Sequence, residues 1–175
     1  TDAYVIGVND VDATELEVQR WARDKDLKGR KYAKPAEKEI ESAVKDALLY
    51  DPRVLSTDIT VELAEDGTTM VLRGTVGNLR AKRAAAQDAR NTVGVVDVEN
   101  RIKVRPTEAL SDGKIEQNVR DALSRDPYIE RYEIVVDVRN GVAELSGTVD
   151  TYFEKFQADD VAARAKGVIL VDNNL

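Results

Sequence analysis

Cysteine and histidine are both absent from this chain of 175 residues. Their absence removes the thiol nucleophile, the imidazole base and the thiolate or imidazole metal ligands on which much enzyme chemistry depends. No glycine-rich phosphate-binding motif is present either, so the sequence offers no catalytic residue, no cofactor site and no metal site. The lack of cysteine does not locate the protein, because it is compatible with the cytosol and with an oxidising compartment.

Long apolar runs are also lacking. No stretch approaches the roughly 20 residues that span a bilayer, so we expect no membrane-crossing helix. The composition, 42% apolar and 34% charged, is typical of a globular chain. The first residue is Thr1 rather than methionine, which favours a trimmed fragment from which a targeting segment could be missing.

Positive charge is outweighed by negative charge, with a formal net charge of -7. The imbalance is local: residues 36–105 hold 11 cations and 12 anions, whereas residues 112–175 hold 8 and 13. One basic stretch, residues 19–35, has seven cations against two anions. Nucleic acid requires a clustered positive surface, so the acidic chain predicts no nucleic-acid partner, and no motif indicates a small-molecule substrate.

The main feature that is present is an internal repeat. Residues 40–48, followed by Asp51-Pro52, return as residues 115–123, followed by Asp126-Pro127. Three shorter pairs continue the agreement: Ile59-x-Val61 with Ile134-x-Val136, Leu72-x-Gly74-Thr75-Val76 with Leu145-x-Gly147-Thr148-Val149, and Gly94-Val95 with Gly167-Val168. Two similar small domains with separate cores favour a binding module over a single-site enzyme.

Each copy shows the same sequence of periodicities. Apolar residues at helical spacing predict a helix over residues 36–50 and 112–125. Alternating apolar and polar residues then predict two strands, which are joined at Gly67 in the first copy and at Asn140-Gly141 in the second. An alanine-rich helix and a last strand follow. The predicted fold class is α+β, with repeated α-β-β-α-β units, each a three-stranded mixed sheet with two helices on one face.

The repeat also predicts the domain boundaries. We expect the tail of a preceding repeat at residues 1–18, a basic linker at 19–35, a domain at 36–105, a linker at 106–111 and a domain at 112–175 whose final strand is truncated. The tail repeats the Gly-Val-x-x-Val phrase that ends each copy, so the parent protein is expected to have at least three units. Without its partners, the tail should be poorly ordered or should borrow a sheet edge.

The α-β-β-α-β order, the phrase Leu-x-Gly-Thr-Val and the ending Gly-Val-x-x-Val-x-Asn together resemble the BON domain, named for bacterial OsmY and nodulation proteins. The resemblance covers most of the chain. It implies a periplasmic or envelope-associated bacterial protein that binds phospholipid or other hydrophobic envelope components and is linked to osmotic stress. The family supplies no catalytic residues to carry over.

One candidate site is cationic. Arg80, Lys82 and Arg83 stand at the start of a predicted helix, where the helix dipole makes cations mildly unfavourable, so a ligand such as an anionic lipid head group is one explanation for them. The basic linker, with Trp21 and Tyr32 as interfacial aromatics, is expected to join this contact. The alternative is a solvated linker and a charged helix face.

The second copy places Phe153 and Phe156 where the first has Arg80 and Arg83, and it adds Tyr152. Exposed aromatics at a helix start suit insertion between lipid head groups or a grip on a partner protein. The alternative is that one or two of them fill the core. The nearby carboxylates lack the spacing of a cation-binding loop, so they predict no metal site.

Two functions remain open from the sequence. The leading prediction is a non-enzymatic tandem BON protein of the bacterial envelope, without cofactor, that weakly binds anionic phospholipid through the basic helix start and the linker. The alternative is a protein-interaction scaffold, for envelope components or self-assembly, that uses Phe153, Phe156 and the open sheet edges.

Overall fold

The computed structural model describes residues 36–55, 58–129 and 133–175. The predictions for the tail at 1–18 and the linker at 19–35, including Trp21 and Tyr32, lie outside these residues. The first copy contains α1 (Glu37–Tyr50), β1 (Ile59–Leu63), β2 (Thr69–Val76), α2 (Leu79–Asn91) and β3 (Asp97–Val104). The second contains α3 (Asp112–Arg125), β4 (Ile134–Arg139), β5 (Val142–Gly147), α4 (Tyr152–Arg164) and β6 (Leu170–Asn174). The α-β-β-α-β order predicted from the repeat is confirmed.

The described residues divide into two compact units. The first unit holds residues 36–76 and Ala81–Lys103, whereas the second holds Gly77–Arg80 and Val104–Leu175. The division therefore crosses the first turn of α2.

The first helix of each copy forms because apolar residues recur at every fourth position. In α1 the buried stripe is Ile40, Val44 and Leu48; in α3 it is Ile115, Val119 and Leu123. The start of α1 is anionic, and Glu39 Oε2 accepts a hydrogen bond from the Ala36 N–H at 3.0 Å. Such an anion satisfies a free amide and suits the positive end of the helix dipole.

Each sheet has three strands, in the orders β1-β2-β3 and β4-β5-β6. The hairpins are antiparallel, with Val61 opposite Leu72 and Val136 opposite Leu145, whereas β6 runs parallel to β5. In the second hairpin Asn140 and Gly141 have φ values of 51° and 76°. Positive φ at both central residues is what a type I′ turn requires, so the Asn-Gly prediction is confirmed.

The core of the second unit lies between one face of its sheet and both helices of its copy. The strands contribute alternate residues, and α3 and α4 contribute the stripe and the small side chains: Ile115, Val119, Leu123, Val136, Val138, Ala143, Leu145, Ala158, Val161 and Ala162. Because the opposite face of β4 and β5 carries exposed Val135 and Glu144, both helices cover the same face. This matches the predicted two-layer unit.

The glycines of the repeated phrase Leu-x-Gly-Thr-Val lie against a neighbouring main chain. A Cβ atom on Gly74 would stand 1.9 Å from the Asp58 carbonyl oxygen, and one on Gly147 would stand 1.9 Å from that of Glu133. Any side chain here would collide with backbone atoms, which cannot rotate away. Close approach of two chain segments thus explains why glycine recurs in this phrase.

The asparagine of the repeated ending joins the last strand to the second helix in both copies. Asn100 Nδ2 donates to the Lys82 carbonyl oxygen at 2.8 Å, and Asn173 Nδ2 donates to that of Lys155 at 2.9 Å. The Oδ1 atom of each asparagine also accepts the amide N–H two residues later. We call this arrangement the asparagine clamp. These hydrogen bonds fix the position of the second helix relative to the last strand of the sheet.

Within the part of the chain that the structure describes, every helix is too short or too polar to traverse a lipid bilayer.

Candidate functional site

The predicted cationic residues lie in the first two turns of α2. Arg80 is exposed, whereas Lys82 and Arg83 are half-buried. The first turn contains no acidic residue, so nothing in it offsets the unfavourable position of the cations near the positive end of the helix dipole. The division between units places Arg80 in the second unit and the other two in the first. The prediction from the sequence had placed all three residues on one surface.

A cluster of two carboxylates and one arginine joins the end of α1 to α2. Arg53 Nε donates to both carboxylate oxygens of Asp51, at 3.0 and 2.9 Å, and Arg53 Nη2 lies 3.6 Å from Asp88 Oδ1. The Asp51 side chain is almost covered by these contacts. We call these three residues the acid pair cluster.

The cluster shifts the pKa values of its two carboxyl groups in opposite directions. Hydrogen bonds from Arg53 hold the pKa of Asp51 well below its ordinary value. Burial, reinforced by the neighbouring Asp51, raises the pKa of Asp88 from 3.8 to about 6. Asp88 Oδ2 is buried and has no hydrogen-bond partner among the described residues, and such a site disfavours the charged form of a carboxyl group.

The second copy replaces this cluster with a hydrogen bond between a carboxylate and an amide and with an aromatic contact. The residues that align with Asp51, Arg53 and Asp88 are Asp126, Tyr128 and Val161. Asp126 accepts a hydrogen bond from Gln157 Nε2 at 2.8 Å. Tyr128 meets Phe153 edge to face, with ring centroids 5.6 Å apart and planes at 88°. The same corner of the fold is therefore ionic in one copy and aromatic in the other.

The predicted aromatic residues differ in how far their side chains are exposed. Tyr152 and Phe153 are half-buried, and Phe156 is 47% exposed. Exposed Tyr128 completes the group through its contact with Phe153, and the sequence analysis did not single it out. The signal was present, because Tyr128 follows Asp126-Pro127 where Arg53 follows Asp51-Pro52, which is the same change from cation to aromatic.

Sequence reasoning also missed an apolar surface in the first unit. Leu49, Tyr50 and Leu55 are exposed at the end of α1 and just after it. The sequence did contain a signal for this exposure. The spacing of Ile40, Val44 and Leu48 marks the buried face of α1, and Leu49 and Tyr50 lie outside that spacing. The aligned residues of the second copy are Ser124, Arg125 and Glu130.

Carboxylates near the aromatic group have structural partners. The Thr151 hydroxyl accepts the Glu154 N–H at 3.1 Å, and Glu154 Oε2 accepts the Asp150 N–H at 3.2 Å. These two hydrogen bonds satisfy two amides at the start of α4, and they account for the burial of Glu154. Among the described residues, no group of three or more carboxylates is placed to hold a metal ion.

The sequence model of the BON domain family matches residues 36–106 and 111–175. Osmotically-inducible protein Y of Escherichia coli (strain K12) is 29% identical over 142 residues, which are 78% of this chain and 70% of that protein.

Among solved structures, similarity is found to the C-terminal domain of CdsD, the structural protein of the type III secretion system of Chlamydia trachomatis. The identity is 18%, and the match covers 75% of this chain and 61% of that one, so the chain spans under two thirds of it. The TM-score is 0.29, and at this value the likeness carries no weight for fold or function.

Proposed function

This chain belongs to the BON domain family, and we propose that it is a non-enzymatic protein of the bacterial envelope that binds anionic phospholipid weakly. The similarity to an osmotically inducible protein supports a role under osmotic stress. A periplasmic location is part of the same proposal. The chain needs no cofactor for this role, and the absence of cysteine and histidine agrees with a binding function.

The observation that carries the proposal is the cationic start of α2. Arg80, Lys82 and Arg83 stand within four residues and have no acidic residue in the first helical turn. A basic residue near an anionic bilayer contributes about 1 kcal/mol, so three of them contribute up to about 3 kcal/mol, or roughly a hundredfold in affinity. Attraction of this size produces reversible association that salt weakens.

Vesicle sedimentation tests the proposal. The protein should sediment with anionic vesicles at low salt, less at physiological salt, and not with neutral vesicles. Changing Arg80, Lys82 and Arg83 together to Glu should abolish sedimentation. The matched control changes Arg73, Arg101 and Lys103 to Glu, which alters the same charge at exposed positions of the first sheet. If both triple variants lose binding equally, net charge alone accounts for it and the α2 site is wrong.

The aromatic group supports a second candidate function, a scaffold for other envelope proteins. The edge-to-face contact of Tyr128 with Phe153 leaves Tyr128 and Phe156 exposed, and exposed aromatics recur at protein interfaces. Binding through them should be nearly insensitive to salt. Cross-linking in envelope extracts should then capture a partner that is lost when Phe153 and Phe156 are both changed to Ser and retained in the α2 triple variant.

A further inference from the structure

The first residue of α2 belongs to a different core from the rest of that helix. Leu79 is 3% exposed and lies in the same buried cluster as Ile115 and Leu145 of the second unit. Its neighbours in the segment Gly77–Arg80 belong to that unit as well, whereas α2 from Ala81 onward belongs to the first unit. A helix of the first copy therefore supplies one core residue to the second unit.

Helix geometry explains why the first residue can serve another core. Every Cα–Cβ bond of an α-helix is tilted toward the helix N-terminus, so the side chain of the first residue extends past the end of the helix. The second copy has the same arrangement, because the apolar core residues of α4 begin only at Ala158, almost two turns after Tyr152. The start of the second helix in each copy therefore lies beyond the core that the rest of the helix helps to form.

The start of α4 presents two aromatic side chains at the corresponding place. Tyr152 and Phe153 align with Leu79 and Arg80, and both are half-buried where Leu79 is buried. Phe156, one turn further along α4, is 47% exposed. Aromatic side chains are enriched at protein interfaces, because they bury a large area with few rotatable bonds.

Contacts within the second unit hold these aromatics in place. The Thr151 hydroxyl accepts the Glu154 N–H at 3.1 Å, which fixes the first turn of α4. The Tyr128 ring meets the Phe153 ring edge to face, with centroids 5.6 Å apart. A surface that is held in one arrangement before binding loses less conformational entropy when a partner docks.

The internal repeat indicates the kind of partner. Neighbouring units of a repeat protein contact each other through equivalent surfaces. Because Leu79 is buried in a unit of the BON fold, another unit of this fold is the partner that the repeat predicts for Tyr152. The first unit of a second chain is such a unit, since its stripe of Ile40, Val44 and Leu48 repeats the core stripe of α3.

Charge and occupancy select between the two units of that second chain. Residues 112–175 hold 8 cations and 13 anions, whereas residues 36–105 hold 11 and 12. Two second units therefore repel each other more strongly than a second unit repels a first unit. The core cluster of the second unit also contains Leu79 already. Both observations favour the first unit as the acceptor.

We propose that Tyr152 and Phe153, at the start of α4, bind the first unit of a second copy of this chain. This inference rests on the second candidate function, a protein-binding role of the aromatic residues, and it names the partner. The two surfaces in contact are unlike, so the assembly is head-to-tail, as an open chain or a closed ring. Two aromatic side chains cover far less than the roughly 1,200 Å² of a standard interface, so the association should be weak and reversible.

Photo-cross-linking of the purified full chain tests the proposal. A benzophenone amino acid that replaces Phe156, on the same face of α4 as Tyr152, should give covalent dimers when concentrated protein is irradiated. Mass spectrometry on a mixture of isotope-labelled and unlabelled chains should place the cross-links between chains, in residues 36–105. The matched control carries the same group in place of Val135, which is 61% exposed on the second sheet, and should give no such dimers.

The other outcomes each overturn the inference. Cross-links between chains that fall in residues 112–175 would show that the acceptor is wrong. Cross-links that stay within one chain, including those to residues 1–35, would show that the chain itself covers this surface. Capture of a different envelope protein without any self-association would overturn the inference and leave the second candidate function standing. Capture of neither would overturn both.

Substitution gives an independent readout in sedimentation velocity. Tyr152→Ser combined with Phe153→Ser should weaken self-association at least about tenfold. The matched control, Val135→Ser combined with Leu170→Ser, removes two exposed apolar side chains from the second sheet and should leave self-association unchanged. Because the contact is apolar and the chain is acidic, added salt should preserve or strengthen the association. Equal loss in both double variants, or loss on adding salt, would contradict the proposal.

Discussion

Replacing Asp88 with Asn should remove an unusual pH dependence from the first unit. The pKa of Asp88 is about 6 in the folded chain and near 3.8 ordinarily, so the folded state binds the extra proton between these values. The free energy of unfolding therefore falls as pH rises through about 6. Most paired carboxylates act in the opposite direction, and Asp51 is one of them: its lowered pKa contributes stability that is lost only as pH falls below its ordinary value.

The size of the effect follows from the pKa difference. A difference of about two units corresponds to roughly 3 kcal/mol for a fully buried group. The Asp88 side chain keeps 16% of its surface, and water screens part of the penalty, so we expect a total loss of about 1–2 kcal/mol as the pH rises from about 4 to about 7. Asp88→Asn has no proton to lose, so it should be more stable than the parent protein by that amount at pH 8 and nearly equal to it only at about pH 4 or below, where Asp88 is protonated in the folded and the unfolded chain.

Hydrogen exchange with mass spectrometry of the full chain provides the assay, because it reads the amides of α1 and α2 separately from those of α3 and α4. The second copy, with Val161 in place of Asp88, serves as an internal reference. Asp46→Asn makes the same charge change at an exposed position of α1 and should keep the parent slope. If Asp88→Asn retains that slope, or loses stability at pH 8, the reasoning about the acid pair cluster is wrong.

Three further predictions concern the repeated contacts. Gly147→Ala should lose more than about 2 kcal/mol of unfolding free energy by urea denaturation because of its backbone collision, whereas Gly113→Ala, with nothing within 4 Å, should be neutral or stabilising. Asn100→Ala should lose about 1–2 kcal/mol in the same measurement, since it breaks the asparagine clamp and leaves a helix carbonyl without its partner; an unchanged midpoint would count against the clamp. A double-mutant cycle of Tyr128→Ala and Phe153→Ala should give a coupling of about 0.5–1.5 kcal/mol, and zero coupling would mean that the edge-to-face contact does not form in solution.

Most of the fold was predictable because its determinants are local or repeated. The spacing of Ile40, Val44 and Leu48 gives α1, the Asn140-Gly141 pair gives a hairpin turn, and the second copy supplies each signal again. A helix or turn signal that is weak in one copy becomes a firm prediction when the same signal occurs at the aligned position of the other copy. The domain boundaries proposed from the sequence stay predictions.

The candidate site was less predictable because it depends on contacts between distant positions. Nothing in the neighbourhood of Asp88 indicates that Arg53, 35 positions earlier, would reach it. Exposure of Leu49 and Tyr50 depends on which side of α1 the core covers, and aromatic residues such as Phe153 can serve either core or surface. The lipid-binding role of Arg80, Lys82 and Arg83 likewise stays a prediction.

The asparagine clamp has a consequence for how the two copies can diverge. Asn100 and Asn173 hold a main-chain carbonyl oxygen, which every amino acid supplies, so the clamp places no demand on the side chains of the helix it holds. The neighbouring helix start can therefore change from Arg80 to Phe153 at little cost to the architecture. In a duplicated fold of this kind, the residues that stabilise the architecture differ from the side chains that are exposed at the helix start. Each copy can therefore acquire a different ligand.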